Sequence, residues 1–168
     1  MVKDPFRKEF ASDMRQPVED LVRMYQENLF RAAFSVCRNQ QDAEDVVQET
    51  FIRYMRSDRD FESEEHIKAW LLRTAINQAK NVVRSFWHRN RSGTDEFLEQ
   101  TAFAKPEDRD LVQAVLALPE KYRVVLHLFY YEDESVSDIA SLLKISESAV
   151  KNRLLRGRKM LKNMLKGG

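Results

Sequence analysis

The side chains of this sequence best suited to chemistry are cations and amides near the C-terminus, and they favour nucleic-acid binding. From residue 147 to the end the chain has seven Lys or Arg and one acid, Glu147. On a helical wheel, Val150, Leu154 and Leu161 form one apolar stripe. The opposite side has Ser148, Asn152, Arg156 and Lys159, flanked by Lys151, Arg153 and Arg158. A helix with these two sides fits a major groove, where Arg recognises guanine and Lys binds phosphate.

The residues before this helix predict another helix and a turn. Ser135 followed by Asp138 is a capping-box pattern that opens a short helix. The apolar residues of that helix are Ile139, Ala140, Leu142 and Leu143. Residues 144–146 have the length of the turn in a helix-turn-helix, and Ser146 is a good N-cap for the helix from Glu147. The alternative interpretation is a basic surface helix that only contacts solvent. The first helix and the turn that precede this helix argue against that interpretation.

A second basic segment lies between His66 and Arg91, where the sequence has no Asp or Glu. A helix predicted over residues 66–89 places four residues along one basic stripe, with Asn81 beside it: Arg73, Asn77, Lys80 and Arg84. Asn can hydrogen-bond base edges while cations bind phosphate, so this stripe is a candidate contact for single- or double-stranded DNA. A solvated helix face is the alternative. We expect Phe86 and Trp87 to close the hydrophobic core rather than stack on bases.

An acidic stripe precedes this segment, on a helix predicted over residues 42–56. Asp42, Asp45 and Glu49 share one exposed face, with Gln48 beside them. Acids in a first turn stabilise the helix dipole, which explains Asp42 and Asp45 but not Glu49. No His accompanies these acids, so we expect neither a metal nor another cofactor. In the polar loop over residues 57–65, Phe61 either contacts a partner or packs inward, which we favour.

Composition predicts an all-α protein in two small domains. The 168 residues are 43% hydrophobic and include only four Gly and four Pro, so helix breakers are rare. Further helices are predicted over residues 18–38, 107–118 and 120–131. The stretch with Gly93 and Pro106 loses periodicity, which indicates a flexible linker. The expected division is an N-terminal extension 1–17, a domain 18–90, the linker 91–106 and a helix-turn-helix domain 107–168.

Several classes of protein are disfavoured by what the sequence lacks. The single Cys37 cannot form an internal disulfide, and it lies in an apolar run that favours a small core residue over a nucleophile. No apolar run is long enough for a signal peptide or a membrane span, so we expect a cytoplasmic protein without membrane insertion. No catalytic triad, metal cluster or phosphate loop is present, so we expect no enzyme, neither hydrolase nor nuclease.

Four motifs stand in order along the chain: DAEDVVQETF from Asp42, W-L-x-R-x-A-x-N from Trp70, LPEKYRVVL from Leu118, and SVSDIASLLKISESAVKNRLLRGR from Ser135. Together they resemble the bacterial sigma factors of the extracytoplasmic-function group, within the sigma-70 family. The resemblance covers about residues 18–165. It implies a factor that binds core RNA polymerase and directs promoter-specific transcription initiation.

The resemblance also implies roles for the first domain. Polymerase binding, to the basic clamp helices of the largest subunit, would fall to Asp42, Asp45, Gln48 and Glu49. Recognition of the downstream (−10) element would fall to Asn77, Lys80, Asn81 and Arg84. In this family a loop before that helix captures an unpaired promoter base. The matching loop here would supply Phe61 and Ser63.

For the second domain, the resemblance implies recognition of the upstream (−35) element and contact with the polymerase flap region. The residues that align there, with Ser148 as a phosphate contact on the same face, are Ser148, Lys151, Asn152, Arg153, Leu155, Arg156 and Lys159. The resemblance further implies that an anti-sigma factor holds the protein inactive in a stress or envelope response.

The sequence departs from the family pattern at three positions. Lys144 stands where Gly is usual, and a non-Gly residue at positive φ costs roughly 1 kcal/mol, which leaves the shape of that turn open. Asp138 replaces the usual Glu, and Ala149 replaces a common Thr that could contact phosphate. The alternative function is a helix-turn-helix repressor or activator in which residues 18–90 sense a ligand or dimerise. Against it, that segment has opposed acidic and basic faces and no pattern that forms a pocket.

Overall fold

The computed structural model describes residues 15–89 and 109–167. Within these ranges the backbone forms seven helices and no strand: α1 Val18–Cys37, α2 Gln40–Arg56, α3 Glu64–Arg89, α4 Arg109–Ala117, α5 Glu120–Tyr130, α6 Val136–Leu143 and α7 Glu147–Lys166. The all-α prediction is confirmed. The expectations for residues 1–14, for the linker and for the side chains of Phe86 and Trp87 lie outside the described part of the chain.

Two predicted helix starts are late by two residues, and side-chain caps explain both. The Asn39 side chain accepts from the Asp42 N–H at 2.9 Å, so α2 begins at Gln40. The Ser63 hydroxyl accepts from the His66 N–H at 3.1 Å, so α3 begins at Glu64. Such caps satisfy amide groups that have no partner within the helix.

Helices α1, α2 and α3 pack against one another around an apolar core. Their fully buried side chains include Leu21, Leu29, Val36, Ala43, Val46, Leu71, Leu72, Ala75 and Ile76. Thr50 and Gln78 are buried polar exceptions, and they satisfy each other through a hydrogen bond of 3.1 Å. Cys37 packs against this core, and burial raises the pKa of its thiol to about 11. The thiol is therefore protonated at neutral pH, as expected of a structural cysteine.

The remaining four helices contain the predicted helix-turn-helix in α6 and α7. Ser135 and Ser146 cap these helices, accepting from the N–H groups of Asp138 at 3.0 Å and Ala149 at 3.1 Å. Lys144 lies in the left-handed region at φ 57° and ψ 47°. The turn therefore keeps the conformation that usually requires Gly, at a cost of roughly 1 kcal/mol.

The two helical units dock against each other, which the sequence did not predict. Helix α1 packs on α5, α3 contacts α6, and one hydrophobic cluster runs through both units. We call the surface between them the docking interface. Its polar contacts come from α1 and α3 on one side and from α5, α6 and the segment between them on the other.

Candidate nucleic-acid interface

The acidic stripe of α2 lies on the side of the helix away from the core. Asp45 and Gln48 are exposed, whereas Asp42 and Glu49 are half-buried. The Glu49 carboxylate accepts from Arg53 Nε at 3.4 Å, one helical turn away. An exposed pair of this kind contributes only about 0–1 kcal/mol, so a partner's cation could replace Arg53 at little cost. The structure thus brings together all four residues predicted for this surface.

The basic stripe of α3 is exposed over its C-terminal half and covered at its start. Asn77, Asn81 and Arg84 are exposed, and Lys80 is half-buried. Arg73, at the start of the stripe, donates from Nη2 to the Ser141 carbonyl of α6 at 3.4 Å. The four predicted contact residues therefore share an accessible face, which ends at the docking interface.

The loop between α2 and α3 separates the two residues predicted from it. Phe61 is only 2% exposed, and its ring lies 5.8 Å from Trp70 and 5.6 Å from Tyr54. The favoured interpretation of Phe61 as a packing residue is confirmed, since its ring is not accessible to a base in this structure. Ser63 is exposed. Its hydroxyl oxygen caps α3, which leaves the hydroxyl proton available for donation.

The polar face of α7 is exposed opposite a buried line of Val150, Leu154 and Gly157. The predicted residues that are exposed there are Ser148, Lys151, Asn152, Leu155, Arg156 and Lys159. Arg153 is half-buried at the edge of this face. The structure therefore presents six of the seven predicted residues to solvent.

Gly157 is a structural residue that the helical wheel missed, because Gly has no side chain to add to an apolar stripe. A Cβ at this position would lie 3.1 Å from Leu126 Cδ1 and 3.3 Å from Tyr122 Cβ, so α7 approaches α5 closely here. A Gly three residues after a buried Leu was the available signal in the sequence.

Two cations of α7 are tied to α5 by this close approach. The pKa of the Tyr122 hydroxyl is lowered from its ordinary value, chiefly by a hydrogen bond with Arg156. Arg158 donates from Nε to the Tyr130 hydroxyl at 2.6 Å and lies over the rings of Phe129 and Tyr130. Arg158 is therefore held against α5.

The described helices thus present two exposed basic faces and a separate acidic stripe. Two family models match the chain, Sigma-70 region 2 over residues 21–89 and Sigma-70, region 4 over residues 108–161. RNA polymerase sigma factor SigV of Bacillus subtilis is 30% identical over 144 residues, covering 84% of this chain and 86% of the relative. The ECF RNA polymerase sigma factor SigW of the same organism is 28% identical, covering 88% of each chain.

Two solved structures share the fold. One is the sigma factor RpoE in complex with the anti-sigma factor NepR from Bartonella quintana, with a TM-score of 0.71 and 20% identity, covering 88% of this chain and 96% of that one. Another is CnrH in complex with the cytosolic domain of CnrY, with a TM-score of 0.68 and 23% identity, covering 95% and 97%.

The chain belongs to the sigma-70 family of RNA polymerase sigma factors, in its extracytoplasmic-function group. It binds core RNA polymerase and promoter DNA and directs promoter-specific transcription initiation. Family membership does not favour the alternative of a repressor or activator. Among the described helices, none combines the length and the apolar character needed to cross a bilayer.

Proposed function

We propose that the acidic stripe of α2 binds the basic clamp helices of the polymerase's largest subunit. The observation that supports this most directly is the exposure of Asp45 and Gln48 together, beside Glu49, on a helix whose opposite side is buried. Opposite charges on two surfaces steer association and fix its register. The stripe lies on a different helix from both basic faces, so polymerase and DNA can be bound at the same time.

The −10 element is recognised by the exposed part of α3. Asn77 and Asn81 supply amide groups for base edges, while Lys80 and Arg84 supply cations for phosphate. Ser63 donates its hydroxyl proton to the captured base or its phosphate. Phe61 supports this loop from the core rather than stacking on the base, because its ring already packs against Trp70.

The −35 element is recognised by α7 in the major groove. Asn152 and Arg156 approach base edges, and Lys151 and Arg153 flank them. Ser148 and Lys159 bind phosphate. Leu155 is 56% exposed and apolar, which suits contact with a thymine methyl group.

The protein acts in the bacterial cytoplasm under the control of an anti-sigma factor, and its second domain also contacts the polymerase flap region. Support for the inhibitor comes from the two structural neighbours, which are RpoE in complex with an anti-sigma factor and CnrH in complex with the cytosolic domain of CnrY. The inhibitor would release the factor on a stress or envelope signal.

The test of the polymerase contact is transcription from a cognate promoter by purified core enzyme. The double variant Asp45→Lys with Glu49→Lys is expected to lose polymerase association and transcription while its helical content is unchanged, because surface substitutions shift stability by only about 0.5 kcal/mol. Glu44→Lys is the matched control, since Glu44 is exposed on the same helix outside the stripe. Full transcription by the soluble double variant would overturn the proposed contact.

A further inference from the structure

His66, in the first turn of α3, reaches back onto the loop that precedes the helix. Its Nδ1 accepts from the Glu62 N–H, with 3.2 Å between the two nitrogens. In the other direction, the Ser63 hydroxyl accepts from the His66 N–H at 3.1 Å. Two hydrogen bonds that cross in this way form a capping box, in which the third helical residue is usually Glu or Gln. His66 takes the place of that residue, and it binds the N–H of Glu62 rather than that of the N-cap Ser63.

The imidazole ring of His66 also packs on the buried side of the loop. It meets the ring of Phe61 at 65°, with 5.3 Å between the centroids. Edge-to-face contacts at this spacing are favourable for aromatic rings. Phe61 is itself 2% exposed and in contact with Trp70. His66 therefore contacts three consecutive residues of the loop: the ring of Phe61, the N–H of Glu62 and, through its own N–H, the hydroxyl of Ser63.

The Ser63 hydroxyl is the exposed group of this loop that is proposed to meet the captured base. Its oxygen already accepts from the His66 N–H, so the hydroxyl proton is the part that remains for donation. The Ser63 carbonyl accepts from the Ile67 N–H at 3.2 Å, which fixes the backbone on the other side. A loop that has its bound conformation before binding avoids the entropy cost of ordering. The contacts of His66 thus favour capture of a base by Ser63.

We infer that His66 is a positioning residue for base capture: it holds residues 61–63 so that the hydroxyl proton of Ser63 stays available to the captured base. This inference rests on the proposal that the loop captures a promoter base. In this role His66 acts through the loop and does not touch the base itself.

The test is transcription by full-length variants assembled with core polymerase, on promoters varied at each base of the −10 element and, separately, of the −35 element. His66→Phe keeps an aromatic ring beside Phe61 and removes the acceptor for the Glu62 N–H. His66→Gln supplies the amide oxygen that a capping box uses as its acceptor. Glu65→Ala is the matched control, because Glu65 is exposed in the same turn of α3.

Ser63→Ala identifies the captured base as the −10 position at which that variant loses its preference. At the same position His66→Phe is expected to lose about fivefold in discrimination, the factor that corresponds to one capping hydrogen bond. Its ranking at the other −10 positions and on the −35 panel should be that of the wild type. His66→Gln should restore the preference, and Glu65→Ala should keep it.

A side chain that only stabilised α3 would lower all promoters alike, so a uniform loss in His66→Phe would overturn the inference. Failure of His66→Gln to restore the preference would overturn it as well. If Ser63→Ala loses preference at one base and His66→Phe keeps it there, the inference fails while base capture by Ser63 stands. If Ser63→Ala keeps the wild-type ranking, base capture by Ser63 fails and the inference fails with it.

Urea unfolding of each variant without polymerase shows whether the fold is retained. His66→Ala, whose small side chain cannot crowd Phe61, replaces His66→Phe if that variant unfolds, and the same outcomes decide.

Discussion

The two basic helices of this sigma factor resemble each other in composition and differ in accessibility. Helix α7 exposes its polar face from Ser148 to Lys159, with its opposite side buried against the rest of its own domain. Helix α3 exposes Asn77 to Arg84, but the start of its stripe is bonded to the other domain through Arg73. A run of Lys, Arg and Asn at helical spacing therefore indicates a candidate DNA-binding face, whereas the exposure of that face depends on how the two domains pack.

The largest effect of a substitution on promoter recognition is expected on α7. Arg156→Ala should reduce discrimination among promoters with single-base changes in the −35 element, because a lost bidentate base contact costs about 1–3 kcal/mol. Lys159→Ala should weaken all promoters alike and lower the salt slope by about one. Transcription from a panel of −35 variants at several salt concentrations measures both.

The control for that experiment is Lys166→Ala, which removes the same charge in the last turn of α7. If Arg156→Ala keeps the wild-type ranking of promoters and lowers the whole set, Arg156 does not contact a base.

A somewhat smaller effect is expected on α3. Asn77→Ala should change the ranking of promoters varied in the −10 element by about 1 kcal/mol at one base, and it should leave the ranking of −35 variants unchanged. Ser85→Ala, exposed on the same helix, is the control. If Asn77→Ala changes the ranking of both promoter panels equally, α3 and α7 do not recognise separate promoter elements.

The local features of both helices were predictable from the sequence because they depend on neighbours. Periodicity located the α7 helix and its exposed face, and Ser135 and Ser146 marked the caps that the structure confirms. The acidic stripe of α2 was also placed on the correct side. In each case the signal lies within a few residues, where spacing and helix geometry determine the outcome.

The docking interface was not predictable because it joins residues far apart in the chain. Arg123 and Val36 are separated by 87 positions, and no periodicity links them. Within LPEKYRVVL, Arg123 resembles any charged residue of an amphipathic helix, so its burial has no local signal. Gly157 was missed for a related reason, since its importance depends on Leu126 and Tyr122 of the facing helix.

The smallest effect concerns the turn that sets the position of α7. Lys144→Gly should stabilise the protein by up to about 1 kcal/mol, because Gly adopts the left-handed conformation without the clash of a Cβ. The greater flexibility of Gly in the unfolded chain reduces this gain. Urea unfolding measures the change, with Lys144→Ala as the control that keeps the Cβ. Destabilisation by Gly and not by Ala would show that the Cβ does not strain this turn.

We expect both helices to recognise promoter DNA only within the polymerase complex. The nine acids in residues 39–65 oppose DNA binding by the free protein, and Arg73 at the start of the basic stripe of α3 is hydrogen-bonded to the other domain. Anisotropy titrations of a labelled promoter duplex at physiological salt, with and without core polymerase, test this directly. The free protein should bind no more tightly than to unrelated DNA, with a Kd of about 1 μM or weaker, and polymerase should make binding tight and sequence-specific. Sequence-specific binding by the free protein with a Kd of about 1 nM would contradict this expectation.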